Sequence, residues 1–315
     1  MGFGNFTELC QQASIPLCTI LTNPIDKQLE SISIGVIPKC YARSIILANT
    51  MIFQIGTAFI NIGALILVVV ILFNIKSKYT AIGRNEMIYF FEIIFILSFL
   101  SLIVDCGVVP PGSDTFKYFV AIQNGFSSMA CWTLMITGLT GFEIWEDGKK
   151  KAMFLLRLSS LVFFALSFII SLFTFQNWFD GINLNQTVPL FIVLYIINAV
   201  FVLVYIISQL ILSLFILDNI WAFGAFLLGV CFFIAGQVLL YALSNIICEG
   251  CNHYLDSLFF TSLANVFTYM MLFKYWDMIT LEDLEFSVAS NENPTDPGMG
   301  LYHDDDKSSI FTQLR

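Results

Sequence analysis

The chain has 315 residues, 58% of them hydrophobic and only 12% charged, with a mean hydropathy of +0.83 and a formal net charge of −9. A soluble domain of this size would leave too much of that apolar surface in water, so composition excludes a soluble globular protein and points to an integral membrane protein with lipid to face. The charge offers nothing to nucleic acid: no basic patch is present, and from Asp277 onward nine acidic residues face only Lys307 and Arg315.

The first segment, 1–46, holds Cys10, Cys18 and Cys40 and the acceptor sequence "NFT" at Asn5. Its first basic residue is Lys27, so no signal peptide is expected, and "ASIPLCTIL" is too short to span a bilayer. Seven apolar windows follow, over roughly 47–73, 86–108, 118–142, 152–175, 188–217, 221–247 and 255–276. Each reaches the ~20 residues that a hydrocarbon core requires, and each reads as a helix because a lone strand would leave backbone groups unpaired in lipid. The expected fold is therefore all-α, a seven-helix membrane domain over 47–276. The remainder, 277–315, is expected to be an acidic, disordered tail.

Loop charges set the expected orientation. The first connection holds Lys76, Lys78 and Arg84, and the third holds Lys149, Lys150 and Lys151 with Arg157 just beyond, whereas the fourth and sixth hold no basic residue. Basic loops favour the cytosol, which puts the N-terminus in the lumen and the tail in the cytosol. Both glycosylation candidates, Asn5 and the weaker Asn185 in "NQT", fall on the lumenal side in this arrangement. So do Cys10, Cys18, Cys40, Cys106, Cys248 and Cys251, the six disulfide candidates. Six cysteines allow fifteen pairings, and spacing does not choose among them; at least one bridge is expected, involving the N-terminal group.

Catalytic constellations are missing. His253 and His303 are the only histidines, so no Cys–His or Ser–His pair lies within the membrane, and neither a nucleotide loop nor a metalloprotease motif occurs. "CEGCNH" over 248–253 resembles a ligand cluster, but it offers three donors where a closed zinc site takes four, and disulfides fit an oxidising lumen better. No cofactor is expected. Among intramembrane polar residues, Gln54 and Asn61 stand seven apart in the first window and Glu92 lies in the second; amides serve interhelical hydrogen bonds, and Glu92 is the candidate for a substrate or proton site. Gly56, Gly63, Gly138, Gly141, Gly224, Gly229 and Gly236 signal close helix packing.

Longer strings carry a family resemblance. "MGFGNFTELC", "IPKCYARSIILANTMIFQIG", "GRNEM", "VDCGVVPPGSDTFKYFVAIQNG", "CWTLMITGLTGFEIWEDG" and "NWFDGINLN" resemble the fungal chitin synthase export chaperones, in order over about 2–276. The resemblance implies a non-enzymatic, multispanning protein of the endoplasmic reticulum membrane. It would let a chitin synthase fold and leave for the cell surface, either staying behind or travelling with it. In the tail, Asp283 and Glu285 in "LEDLEF" form an acidic pair of the kind that vesicle coat proteins read. A seven-span receptor and a small-solute transporter are the alternatives, though neither a D/E-R-Y cluster after the third window nor an N-P-x-x-Y end in the seventh is present.

Overall fold

The computed structural model describes residues 6–21, 35–36, 38–47, 50–79, 81–142, 150–176, 178, 187–216 and 219–291, with the backbone alone from 281 on. Both glycosylation candidates, Asn5 and Asn185, lie outside the described residues.

A short helix, α1 (Thr7–Gln12), and a 3-10 turn (Pro16–Thr19) open the chain. A two-stranded antiparallel hairpin follows, β1 (Ile45–Leu47) with β2 (Thr50–Ile52), in the register Ile45↔Ile52, Ile46↔Met51 and Leu47↔Thr50. This corrects the start of the first apolar window. Leu47 and residues 50–54 are not helical; the β-branched Ile45, Ile46, Thr50 and Ile52 suit paired strands, whose backbone bonds internally. The helix begins one residue after Gln54, which adopts a left-handed conformation (φ 48°) at its N-cap.

The long helices are α2 (Ile55–Ser77), α3 (Arg84–Asp105), α4 (Asp114–Thr140) and α5 (Lys150–Gln176). They continue with α6 (Val188–Phe191), a π-helical stretch (Ile192–Ile197), α7 (Asn198–Ile211) and a second π-helical stretch (Leu212–Ile216), together one rod. Then come α8 (Ile220–Tyr241), the short α9 (Ser244–Gly250) and α10 (Ser257–Asn291). Local signals set several starts: Ser113 Oγ accepts from Phe116 N–H at the head of α4, and Asn219 Oδ1 accepts from Trp221 and Ala222 N–H at the head of α8. Among the described residues, six helices are long and apolar enough to cross a membrane: α2, α3, α4, α5, the rod Val188–Phe215, and α8. The seventh window, 255–276, lies in α10, which is less apolar over its length and runs on as helix to Asn291, well into the segment expected to be a disordered tail.

The bundle is inverted in polarity. Its outer surface carries large apolar side chains such as Phe59, Phe73, Phe154 and Phe215, each more than two-thirds exposed, as a helix facing lipid requires. The least apolar of the six spans, α4, sits at the centre, packed against α3, α5 and α7, with no residue from 119 to 140 exposed. On the other side α2 packs on α3, and α10 lies between α2 and α8, forming its largest interface with α8. Gly236 permits that approach. Its carbonyl accepts from Thr261 Oγ1 (3.1 Å), and a Cβ there would stand 3.2 Å from Ala264 Cβ. A Cβ at Gly63 or Gly224 would meet no neighbour within 4 Å, so neither glycine is needed for close helix packing.

Candidate functional site

The N-terminal segment forms a cap over one end of the bundle. Phe6, Cys10, Leu17, Cys18, Ile20, Leu21 and Val36 pack into one buried cluster with Val104 of α3, Phe116 and Val120 of α4, Phe175 of α5 and Leu190 of α6. Cys10 and Cys18 are joined as a disulfide with Cα atoms 5.4 Å apart, closing the α1 turn on itself. Val36 N–H donates to the carbonyls of Cys18 (2.9 Å) and Leu21 (3.1 Å), and Lys39 N–H to that of Gln11 (3.1 Å).

A second disulfide, Cys40–Cys248, ties this cap to α9 across 208 residues, with Cα atoms 6.0 Å apart. The turn after α9 reinforces it. Asn252 and His253 are left-handed (φ 52° and 64°), a conformation that Asn and His tolerate better than most residues, and this folds His253 N–H back onto the Cys248 carbonyl (3.0 Å). The His253 carbonyl then accepts from Arg43 N–H (2.8 Å), and the Arg43 guanidinium lies 5.3 Å from the Tyr254 ring centroid. Beneath, the buried Ser14 hydroxyl donates to Asp256 Oδ2 (3.0 Å), while Asp256 Oδ1 accepts from Phe259 N–H and caps α10. Thus "PKCYAR" and "CEGCNH", far apart in the chain, meet in one structure.

His253 Nδ1 stands 3.2 Å from Cys40 Sγ and 3.8 Å from Cys248 Sγ, a group compact enough to resemble a metal site. Both sulfurs are bound to each other, however, and a disulfide has no thiolate to offer zinc. Cys106 and Cys251, also disulfide candidates from sequence, carry free thiols, as do Cys131 and Cys231.

Within the bundle many polar side chains pair across helices. From α4, Gln123 donates to Ser101 (2.9 Å), Asn124 to Ser171 (3.3 Å) and Trp132 Nε1 to Ser159 (3.0 Å), and Ser128 accepts from Asn198 (3.2 Å). Asn61 is buried and donates to Asp105 Oδ2 (3.3 Å), joining α2 to α3. Gln54, just outside the helix, keeps its buried Oε1 without a partner. Glu92 does not line an internal path: it is exposed, flanked by buried Phe91 and Ile93. Nothing in the spacing of "FFEIIF" shows this, because apolar residues surround Glu92 on every side.

At the end opposite the cap, α10 is latched by reversible contacts. The Gln209 side chain donates to the Gly138 carbonyl (2.6 Å) and accepts from Tyr275 OH (3.0 Å), and Trp276 Nε1 donates to the Ile82 carbonyl (3.3 Å). Asp277 pairs with Lys78 and with Lys274. Ile82, Gly138, Gln209, Tyr275 and Trp276 border a cavity of about 60 Å³ between α4, α7, α10 and the start of α3. Asp283 and Glu285 fall on the last turns of α10, where the backbone is helical.

The family model described as chitin synthase export chaperone matches residues 2–290. Curated proteins named chitin synthase export chaperone are similar along nearly their whole length. The one from Debaryomyces hansenii is 48% identical over 315 residues, covering 99% of this chain and all of that protein. That from Kluyveromyces lactis is 51% identical over 302 residues (92% and 95%), and that from Saccharomyces cerevisiae 47% over 306 residues (93% and 97%). No solved structure matches the chain. A fold assembled from membrane-length helices, with many of its buried polar groups paired internally, agrees with a match that runs the length of the protein: the chain belongs to the chitin synthase export chaperone family.

Proposed function

We propose that this protein is a dedicated chaperone of the endoplasmic reticulum membrane that lets a chitin synthase fold, assemble and leave for the cell surface. The observation that carries the reading is 47–51% identity over more than nine-tenths of the chain to proteins of that name. In this reading α10 is the seventh span, the disulfide-tied cap is lumenal and the helix beyond Asp277 is cytosolic. Two features support that orientation. Lys76, Lys78, Arg84, Lys150 and Lys151 all belong to the end away from the cap, and both disulfides belong to the cap. Asp283 and Glu285 would then face coat proteins from the end of α10, and the apolar outer surface would contact lipid.

The test is microscopy of a tagged chitin synthase in a strain lacking this protein. The synthase is expected to be made but retained in the endoplasmic reticulum, with surface chitin reduced; normal arrival at the surface would defeat the proposal. Orientation has its own test. A glycosylation reporter should be modified when inserted before Lys39 and left unmodified at the C-terminus.

A further inference from the structure

Away from helix ends, the exposed outer surface of the described spans is apolar nearly everywhere: Phe59, Ile66 and Phe73 on α2, Leu203 and Ile207 on α7, Leu227 and Ile234 on α8. One strip differs. Helices α3 and α5 flank α4 and start from the same end of the bundle, and they meet where Tyr89 OH bonds Ser160 Oγ (2.7 Å). The Arg157 guanidinium lies over the Tyr89 ring, 5.5 Å from its centroid, and Arg157 is exposed. One turn from Tyr89, Glu92 is exposed too. Among the described residues neither charge has an ion-pair partner. Glu92 lies eight residues past Arg84 and Arg157 seven past Lys150, so both sit about 10–12 Å in from the same end at 1.5 Å per residue. The strip is bordered by exposed Ile96 and Phe99 of α3 and Leu161 of α5.

A carboxylate facing hydrocarbon is costly, and the short Glu side chain cannot reach the headgroups as a long Arg can. Such a position is retained at a cost unless something covers it. We propose that the α3–α5 strip is an intramembrane docking face. Its occupant is a membrane-spanning helix of the client that presents a basic or amide donor to Glu92, with Arg157 and the Tyr89 ring holding an acceptor beside it. Charge complementarity selects this occupant: an unassembled polytopic protein exposes polar groups at such depths, and the strip supplies one acceptor and one donor there. The inference rests on the reading of a membrane-protein client and places its contact.

The test uses the full-length protein in native membranes. A photo-crosslinking phenylalanine analogue at Ile96 or Leu161 should capture the chitin synthase, whereas the same probe at Ile66 or Leu203 should not. The double variant Glu92→Leu with Arg157→Leu should retain at least tenfold less synthase on purification in mild detergent, since each of the two charge-assisted hydrogen bonds it removes is worth about tenfold or more. Glu92→Gln, which still accepts a hydrogen bond, should stay within about threefold of the unaltered protein. Adducts at twice this chain's mass, adducts with lipid only, or unchanged synthase recovery from an accumulating double variant would overturn the docking face while leaving the client reading intact. If the double variant fails to accumulate, the crosslinking decides, since both charges are then unaltered. Failure of the unaltered protein to retain any synthase would defeat both readings.

Discussion

The two ends of the bundle are built on different principles. At the capped end, 13 buried residues form one cluster, and two disulfides fasten it, one of them spanning 208 residues. At the other end, α10 is held by side-chain hydrogen bonds beside a small cavity and, apart from it, by Asp277, which pairs with two lysines. The first arrangement restricts the unfolded chain and is lost only by reduction. The second consists of contacts each worth about 1 kcal/mol or a little more, which can be broken and remade. A chaperone that must engage and release a client can keep one end covalently set and the other adjustable.

The comparison is broken most severely by Cys40→Ser. Freeing the cap from α9 should cost about 2–5 kcal/mol, as expected for a long closed loop, and should lower the thermal midpoint of the protein in detergent. The same experiment has a chemical control: alkylation of the unaltered protein after denaturation without reductant should label four thiols, the free Cys106, Cys131, Cys231 and Cys251. Next comes the latch. Gln209→Leu strands the Gly138 carbonyl and the Tyr275 hydroxyl in a buried site, so about 1–3 kcal/mol of stability should be lost, read from the same thermal midpoint. Ser14→Ala removes the donor to Asp256 under the cap and should cost about 1 kcal/mol, visible as faster hydrogen exchange at the start of α10. The smallest effect belongs to Asp277→Asn. Its lysine partners are part-exposed, Lys274 about half so, and the loss should stay below about 1 kcal/mol and vanish in high salt.

Sequence by itself determined the protein class, the existence of six membrane-length helices, four of them to within about four residues at each end, and the end of the bundle at which the cysteines gather. Those properties are local: a run of twenty apolar residues has one stable form in lipid, and compartment chemistry sorts thiols. Even so, the 47–54 stretch read as the start of a helix, because hydropathy alone does not separate a β-branched hairpin from a buried turn of helix. Only tertiary structure decided that α4 occupies the centre, that Asn61 meets Asp105, that Cys40 pairs with Cys248 rather than with a nearer cysteine, and that Glu92 faces out. The physical reason is common to all four. In a soluble protein the apolar stripe of a helix reveals its inner face, but in a membrane both faces are apolar and the periodicity that would orient each helix is lost. Which polar residues meet then depends on how whole helices pack, and that is a property of the assembled bundle.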